Sequence, residues 1–188
     1  MKPKLRKKIL ELRRKFNKKD LSLKNKKISE NIEGFDIFAR SKTILFYVSF
    51  ENEVRTHNLI KDSLKKKKTV IVPFLENKEI CLSELKDFDE LEHNKFGILE
   101  PKRECLKDFE IGNIDLIIVP GVVFDMKGHR IGFGMGCYDK LLMQSDATKI
   151  GLCYEFQILD KIPEEAHDVP VDFIVTEKRI LKTGLGQD

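Results

Sequence analysis

The stretch 120–142, PGVVFDMKGHRIGFGMGCYDKLL, holds the richest set of residues able to do chemistry. It begins where an apolar run, IDLIIV, ends, and it leads into a pattern that reads as a helix. Ligands of open α/β sheets bind at the carboxyl ends of strands, so a site is expected here. Gly132, Gly134 and Gly136 alternate, which removes three side chains and lets backbone N–H groups approach a phosphate closely. The positive end of the following helix would favour an anion at the same place. Two common phosphate motifs are excluded: no Gly-Lys-Ser/Thr ending is present, and Cys137 and Asp139 stand at the third glycine position in the two frames of G-x-G-x-x-G. Asp139 is suited either to hold Mg²⁺ that bridges phosphate oxygens or to cap the helix. Arg130 reads as a phosphate-neutralising guanidinium or as a solvated charge beside a turn. His129 reads as a surface residue, and Cys137 as a packed thiol rather than a nucleophile, because the sequence assigns it no histidine partner.

The elements that must position these groups follow from periodicity. Leu5, Ile9, Leu12 and Phe16 recur at steps of four, three and four, the stripe of an amphipathic helix, with Lys2, Arg6 and Arg13 together on another face. A second helix is expected over 22–33, capped by Ser22 or Asp20 and interrupted by Gly34. The runs TILFYV (43–48), TVIVPF (69–74), IDLIIV (114–119), IGLCY (150–154) and DFIVT (172–176) are short and apolar, as strands covered on both faces are. A crossover helix over 56–66 fits Leu59, Ile60 and Leu64, and such alternation argues for an α/β fold: a three-layer sandwich with a mainly parallel central sheet flanked by helices. The segment 76–111 scatters its apolar positions among charges and reads as mixed strand and loop. Neither a repeat nor a composition shift marks a boundary, so residues 1–188 are expected to form one domain.

Composition sets bounds on partners. The chain has 188 residues, of which 41% are hydrophobic and 35% charged, with 35 basic side chains against 31 acidic ones. That length supports a core without disulfides or structural metal. The basic excess is local, crowded into the first twenty residues, where it suits a polyanion without choosing among nucleic acid, membrane surface and nucleotide. Neither a secretory signal nor a run long enough to span a bilayer is apparent, so the expectation is a cytoplasmic protein without membrane contact. Cys81, Cys105, Cys137 and Cys153 are widely spaced, which fits reduced thiols better than a zinc site or a disulfide framework.

GFGMGCYDK resembles the G-x-G-G-G-Y-Y-D-R loop of the 5-formyltetrahydrofolate cyclo-ligase family. KPKLR is similar to that family's basic N-terminal helix, YVSFENEVRT to its substrate segment Y-x-S-F-x-x-E-V-x-T, and HDVPVDFIVTE to its C-terminal strand, all in order and together spanning almost the whole chain. The resemblance implies an ATP- and Mg²⁺-dependent ligase, with 5-formyltetrahydrofolate and ATP as small-molecule substrates, acting as a monomer. It places ATP on Lys2, Arg6, Arg130, Gly132, Phe133, Gly134, Met135, Gly136, Cys137 and Tyr138. It places the folate on Val48, Glu53 and residues 133–137, and Mg²⁺ on Asp139 and Asp172. Cys137 departs from the family's first tyrosine, and Lys140 from its arginine, which keeps charge without bidentate geometry.

Two other classes compete. A nucleic-acid-binding module would use the basic N-terminal helix and the Lys65, Lys66, Lys67, Lys68 run, but aromatic residues able to stack bases are not interleaved there. An enzyme acting on a sugar phosphate or coenzyme A ester could also use a glycine loop. It would not need Asp139, Asp172, Lys2 and Arg6 together.

Overall fold

The computed structural model describes residues 1–77, 79–134 and 136–184. Helix α1 spans Lys2–Lys15 with a proline in its first turn and Arg13, Arg14 and Lys15 in its last, an order that suits the missing N–H of proline and the helix dipole. Its apolar stripe faces inward as expected, but the cations do not occupy a separate solvent face. Ile9 and Arg13 are both buried and Lys2 and Arg6 half-buried, because positions 2, 6, 9, 13 and 16 form one continuous stripe beside Leu5 and Leu12. Helix α2, Lys18–Glu33, starts earlier than the sequence suggested. Asn17, not Ser22 or Asp20, caps it, with its Oδ1 accepting from the Asp20 N–H at 2.8 Å.

Helix α3 (Asp36–Arg40) leads to strand β1 (Thr43–Leu45), then helix α4 (His57–Lys65), strand β2 (Thr69–Glu76) and strand β3 (Glu79–Leu85). The irregular segment resolves into β3, the short antiparallel pair β4 (Leu91–His93) and β5 (Leu99–Pro101), and 3₁₀ turns. Strand β6 (Leu116–Val119) is followed by β7 (Val123–Asp125), β8 (Arg130–Ile131), helix α5 (Cys137–Leu142), β9 (Thr148–Leu152), β10 (Ile158–Leu159), β11 (Phe173–Val175) and β12 (Ile180–Lys182). The main sheet runs β12-β11-β9-β6-β1-β2-β3. All pairs from β11 to β2 are parallel, and the edge strands β12 and β3 are antiparallel.

Alternation along the strands divides the core between two faces. Ile44, Leu116, Ile118 and Ile150 pack with Ile28, Ile32, Phe38, Leu59 and Ile60 from α2, α3 and α4. Leu45, Ile117, Val119 and Ile174 pack on the other side with Leu141 and Leu142 of α5 and Phe124 of β7. The sandwich therefore has its three layers, but the second cover is one six-residue helix and the small sheet β10-β7-β8 rather than helices alone. The cause is local: after β6 the chain makes a hairpin, with Asp125 accepting from the Lys127 and His129 N–H groups, instead of a crossover helix. Phe124 lies so close to the main sheet that a Cβ on Gly151 would come within 2.6 Å of its ring.

The topology fixes where a ligand enters. From β1 the chain adds β2 on one side and later returns to add β6 on the other, which opens a crevice at the carboxyl ends of β1 and β6. The expected strand 43–48 pairs only over Thr43–Leu45. Beyond it, Thr56 Oγ1 donates to the Tyr47 carbonyl at 2.7 Å, and Ser49 and Thr56 exchange N–H to hydroxyl bonds at 3.1 Å. Side chains thus replace ladder partners and hold Tyr47 and Val48 at the crevice.

Candidate functional site

A cleft of about 540 Å³ fills that crevice. Its floor is Tyr47, Val48 and Glu53, one wall is an apolar ledge including Phe74, Ile80 and Leu99, and the far end is the glycine loop with Arg130, Tyr138 and Asp139. Helix α1 closes it from outside, contributing Lys2 and Arg6. What holds α1 there is Ile9, 3% exposed among Val122, Val123, Ile131 and Ile162, a burial that stabilises by about 1.5–3 kcal/mol.

Arg6 Nε donates to the Gly132 carbonyl at 2.7 Å. Its guanidinium rests on Gly134, whose φ of +103° favours glycine and where a Cβ would come within 3.0 Å of Arg6 Nη2. Gly136, φ +64°, turns the chain into α5. Helix α5 has only six residues, under two turns, so the anion-binding contribution expected of a helix end is small. Met135 lies outside the described residues.

The charges at this end are already partnered. Arg130, with 4% of its side chain exposed, donates from Nη2 to Asp139 Oδ1 at 2.9 Å and from Nη1 to the Val169 carbonyl at 2.7 Å. It is neither a solvated charge nor an open phosphate hook. Burial lowers its pKa, and the adjoining Asp139 opposes that without cancelling it. Asp139 also accepts from the Val169 N–H at 3.3 Å, and among the described residues its carboxylate makes no capping bond to α5. Lys2 Nζ lies 2.7 Å from Asp168 Oδ2 and 3.1 Å from Glu165 Oε1. Burial, the largest single influence on each, would lower the Lys2 ammonium and raise the Asp168 carboxyl, but the hydrogen bonds and charges around them together outweigh it: Asp168 and Glu165 leave Lys2 above its ordinary value, and Lys2, the Glu165 N–H and His167 leave Asp168 below its own.

The floor differs. Burial pushes the Glu53 carboxyl above its usual range, opposed by the Phe50 N–H at 3.0 Å and by the Arg13 charge, with Glu51 adding to the rise. The Tyr138 hydroxyl is buried and has no hydrogen-bond partner among the described residues. Burial holds that phenol strongly protonated, with Glu53 adding and Arg130 opposing, so it is a donor awaiting an acceptor.

Of the residues singled out from sequence, Lys2, Arg6, Val48, Glu53, Arg130, Gly132, Phe133, Gly134, Gly136, Cys137, Tyr138 and Asp139 all line this cleft. Asp172 does not. It is exposed, stands before β11 at the amino ends of the parallel strands, and accepts from the Lys149 N–H at 2.7 Å as a tie between β9 and β11. The carboxylate that the same HDVPVD segment delivers to the cleft is Asp168, accompanied by Glu165 and His167. These three bring one ligand atom each within 4.8 Å of one another. Strand polarity carried the missing signal: a residue that enters a parallel strand lies at the end opposite the site. Asp139 and Asp168 both line the cleft, and each carries the hard oxygen donors that Mg²⁺ takes.

The model of the 5-formyltetrahydrofolate cyclo-ligase family matches residues 1–177. A 5-formyltetrahydrofolate cyclo-ligase of Haemophilus influenzae is 33% identical over 139 residues, 70% of this chain and 74% of that one. A probable 5-formyltetrahydrofolate cyclo-ligase of Caenorhabditis elegans is 30% identical over 177 residues, 87% of this chain and 86% of that one. The structure of a 5,10-methenyltetrahydrofolate synthetase from Aquifex aeolicus superposes with a TM-score of 0.87 at 35% identity, covering 100% of this chain and 95% of that one. No helix among the described residues is long and apolar enough to cross a membrane. With the fold, the cleft and these relatives in agreement, the chain belongs to the 5-formyltetrahydrofolate cyclo-ligase family.

Proposed function

We propose that the protein uses ATP, with Mg²⁺, to cyclise 5-formyltetrahydrofolate to 5,10-methenyltetrahydrofolate, releasing ADP and phosphate. The observation that carries this reading is one continuous cleft with two chemically different ends: a glycine loop ringed by Lys2, Arg6 and Arg130, and an apolar recess ending on the buried carboxylate of Glu53. The first suits a triphosphate and the second a flat heterocycle with hydrogen-bond donors on its edge. That the cleft joins Lys2 to Asp168 across most of the chain supports a single domain.

An N5-formyl group is amide-like and a poor electrophile. In the proposed reaction its oxygen attacks the γ-phosphorus and ADP leaves, giving an iminium phosphate. N10 then adds to the activated carbon, phosphate departs with the formyl oxygen, and N10 gives up its proton. The protein's part is alignment and charge compensation. Lys2, Arg6 and the glycine-loop N–H groups would cradle the phosphates, and Arg130 would turn from Asp139 toward the transferring group. Glu53 would accept hydrogen bonds from the pterin edge, while Tyr138 would donate to a ligand oxygen. Mg²⁺ when bound would neutralise phosphate charge, held by Asp139 and Asp168.

A spectrophotometric assay for the methenyl product, with purified protein, 5-formyltetrahydrofolate, ATP and Mg²⁺ and each omitted in turn, tests the reading. Product that requires both ATP and Mg²⁺ supports it. Protein that melts cooperatively yet makes no product sinks it.

A further inference from the structure

We propose that Tyr138 is a catalytic residue of this reaction: its hydroxyl donates a hydrogen bond to the formyl oxygen and holds it through the step in which that oxygen departs with phosphate. The inference rests on the proposed cyclisation and deepens it, by assigning a group to the cleavage of the carbon–oxygen bond.

The chain has three tyrosines, and the fold satisfies two of them. The Tyr47 hydroxyl donates to the Val54 carbonyl at 2.8 Å, and the Tyr154 hydroxyl to Asn25 Oδ1 at 3.2 Å. Tyr138 lines the cleft, yet its hydroxyl is shielded from solvent and has no hydrogen-bond partner among the described residues. A buried hydroxyl left unmatched is costly, and phenylalanine would fill the same space without that cost. Packing therefore accounts for the ring but not for its oxygen. The ring's place is fixed: it packs against both core clusters, the one that includes Tyr47 and Val48 and the one that includes Leu141 and Leu142. Those clusters lie on opposite faces of the main sheet, and one side chain reaches both only past the ends of the strands. Two residues beyond Gly136, Tyr138 thus stands at the carboxyl ends of the strands, where the floor of the cleft meets the glycine loop.

That junction selects the acceptor. At one end, phosphate oxygens have Lys2, Arg6 and the N–H groups of the loop. At the other, the Glu53 carboxylate receives donors, not acceptors. The formyl oxygen belongs to both ends, because it is carried by the heterocycle and must reach the γ-phosphorus. Burial keeps the phenol protonated, with Glu53 adding to this and Arg130 opposing it, so Tyr138 donates a hydrogen bond and does not act as a base. In the first step the formyl oxygen bonds to the γ-phosphorus and ADP leaves. In the second, N10 bonds to the formyl carbon, the electron pair of the carbon–oxygen bond goes to the oxygen, phosphate departs, and N10 releases its proton to water. Negative charge grows on that oxygen only in the second step, and a fixed donor is most effective where charge develops in the transition state. Tyr138 keeps its own proton throughout.

The experiment compares the native protein with Tyr138→Phe. Without ligands the variant should melt about 2–4 °C higher, as the loss of an unmatched polar group does in a chain of this size. Methenyl formation, followed by stopped-flow absorbance, should slow by about 10²-fold, the scale of losing one oxyanion donor. ADP in rapidly quenched samples should lead the methenyl product by a wider margin than in the native protein, because the second step alone is impaired. With isotope-labelled formyl substrate bound in the absence of ATP, the formyl carbonyl stretch should lie at lower frequency in the native protein than in the variant. Equal frequencies, ADP and methenyl product slowed in step, or a lowered melting temperature would each overturn the inference. So would a change confined to the KM for ATP, which would give the hydroxyl to a phosphate oxygen of the nucleotide. Native protein that makes no methenyl product sinks the proposed reaction itself, whereas native turnover with equal frequencies in both proteins sinks only the role of Tyr138.

Discussion

The two ends of the cleft handle charge in opposite ways. At the glycine loop two of the three cations are closely paired with carboxylates: Arg130 holds Asp139 at 2.9 Å and Lys2 holds Asp168 at 2.7 Å, while Arg6 is held by the Gly132 carbonyl. At the floor, the Glu53 carboxylate accepts from the Phe50 N–H and makes no ion pair among the described residues. A paired end is prepared for exchange, in which a polyanion takes the cations and a divalent ion takes the carboxylates. An unpaired end is prepared for addition, in which a neutral heterocycle meets one preset acceptor. Pairing at the first end also limits the cost of burying charge while the cleft is empty, because each ion retains a charge-assisted bond.

The largest effect that would break this contrast lies at Asp139. Asp139→Asn keeps an oxygen for Arg130 but removes the charge, and is expected to lower kcat by about 10²–10³-fold, the scale of losing one preorganised electrostatic contact. Asp139→Ala goes further by leaving Arg130 buried alone, and should cost about 3 kcal/mol or more of stability. Parallel turnover and thermal melting separate the two. Near-native turnover in Asp139→Asn would mean that the pairing with Arg130 is structural only.

How much of this was legible in the sequence depends on which physical signal each residue carries. Parallel strands announce themselves by unbroken apolar runs, so β1, β2, β6, β9 and β11 were placed, although their ends were not. Tyr47 and Val48 look like strand residues and leave the ladder only because Ser49 and Thr56 offer side-chain partners. The glycine loop was visible in the spacing of its glycines. The pairing of Arg130 with Asp139, nine residues apart, depends on the β8-to-α5 turn and had no local signature. Arg13 was seen as one of three cations on a helix, and only the packing of Phe16 on Phe156 shows that this part of the helix faces inward.

The choice between Asp168 and Asp172 gives the next largest effect and sharpens the account of the paired end. Asp168→Asn should lower turnover by about 10-fold or more, as expected for a charge-assisted contact worth about 1.5–3 kcal/mol. Asp172→Asn should leave turnover within about twofold and cost about 1 kcal/mol of stability through its bond to the Lys149 N–H. The reverse ranking would return the metal role to Asp172 and would require the chain ahead of β11 to reach the cleft.

The smallest expected effect concerns the latch formed by Lys2 and Asp168, and its sign follows from the two pKa shifts. Asp168 is held below its ordinary value of 3.8, so its contribution is complete above that value and is lost as pH falls through the depressed one. Lys2 is held above its ordinary value of 10.5, so its contribution is complete below that and is lost as pH rises through the raised one. The docking of α1 should therefore be constant across neutral pH and loosen at both extremes, by about 1 kcal/mol for a partly exposed pair. The methyl signal of Ile9, which packs against Val122 and Val123, reports that docking without substrate. Lys2→Gln should remove the basic limb and flatten the acid one. An acid limb of full size in Lys2→Gln would assign the loosening to Asp168 alone, through its bond to the Glu165 N–H, and the latch would then be internal to the 165–168 turn rather than a link between the two ends of the chain.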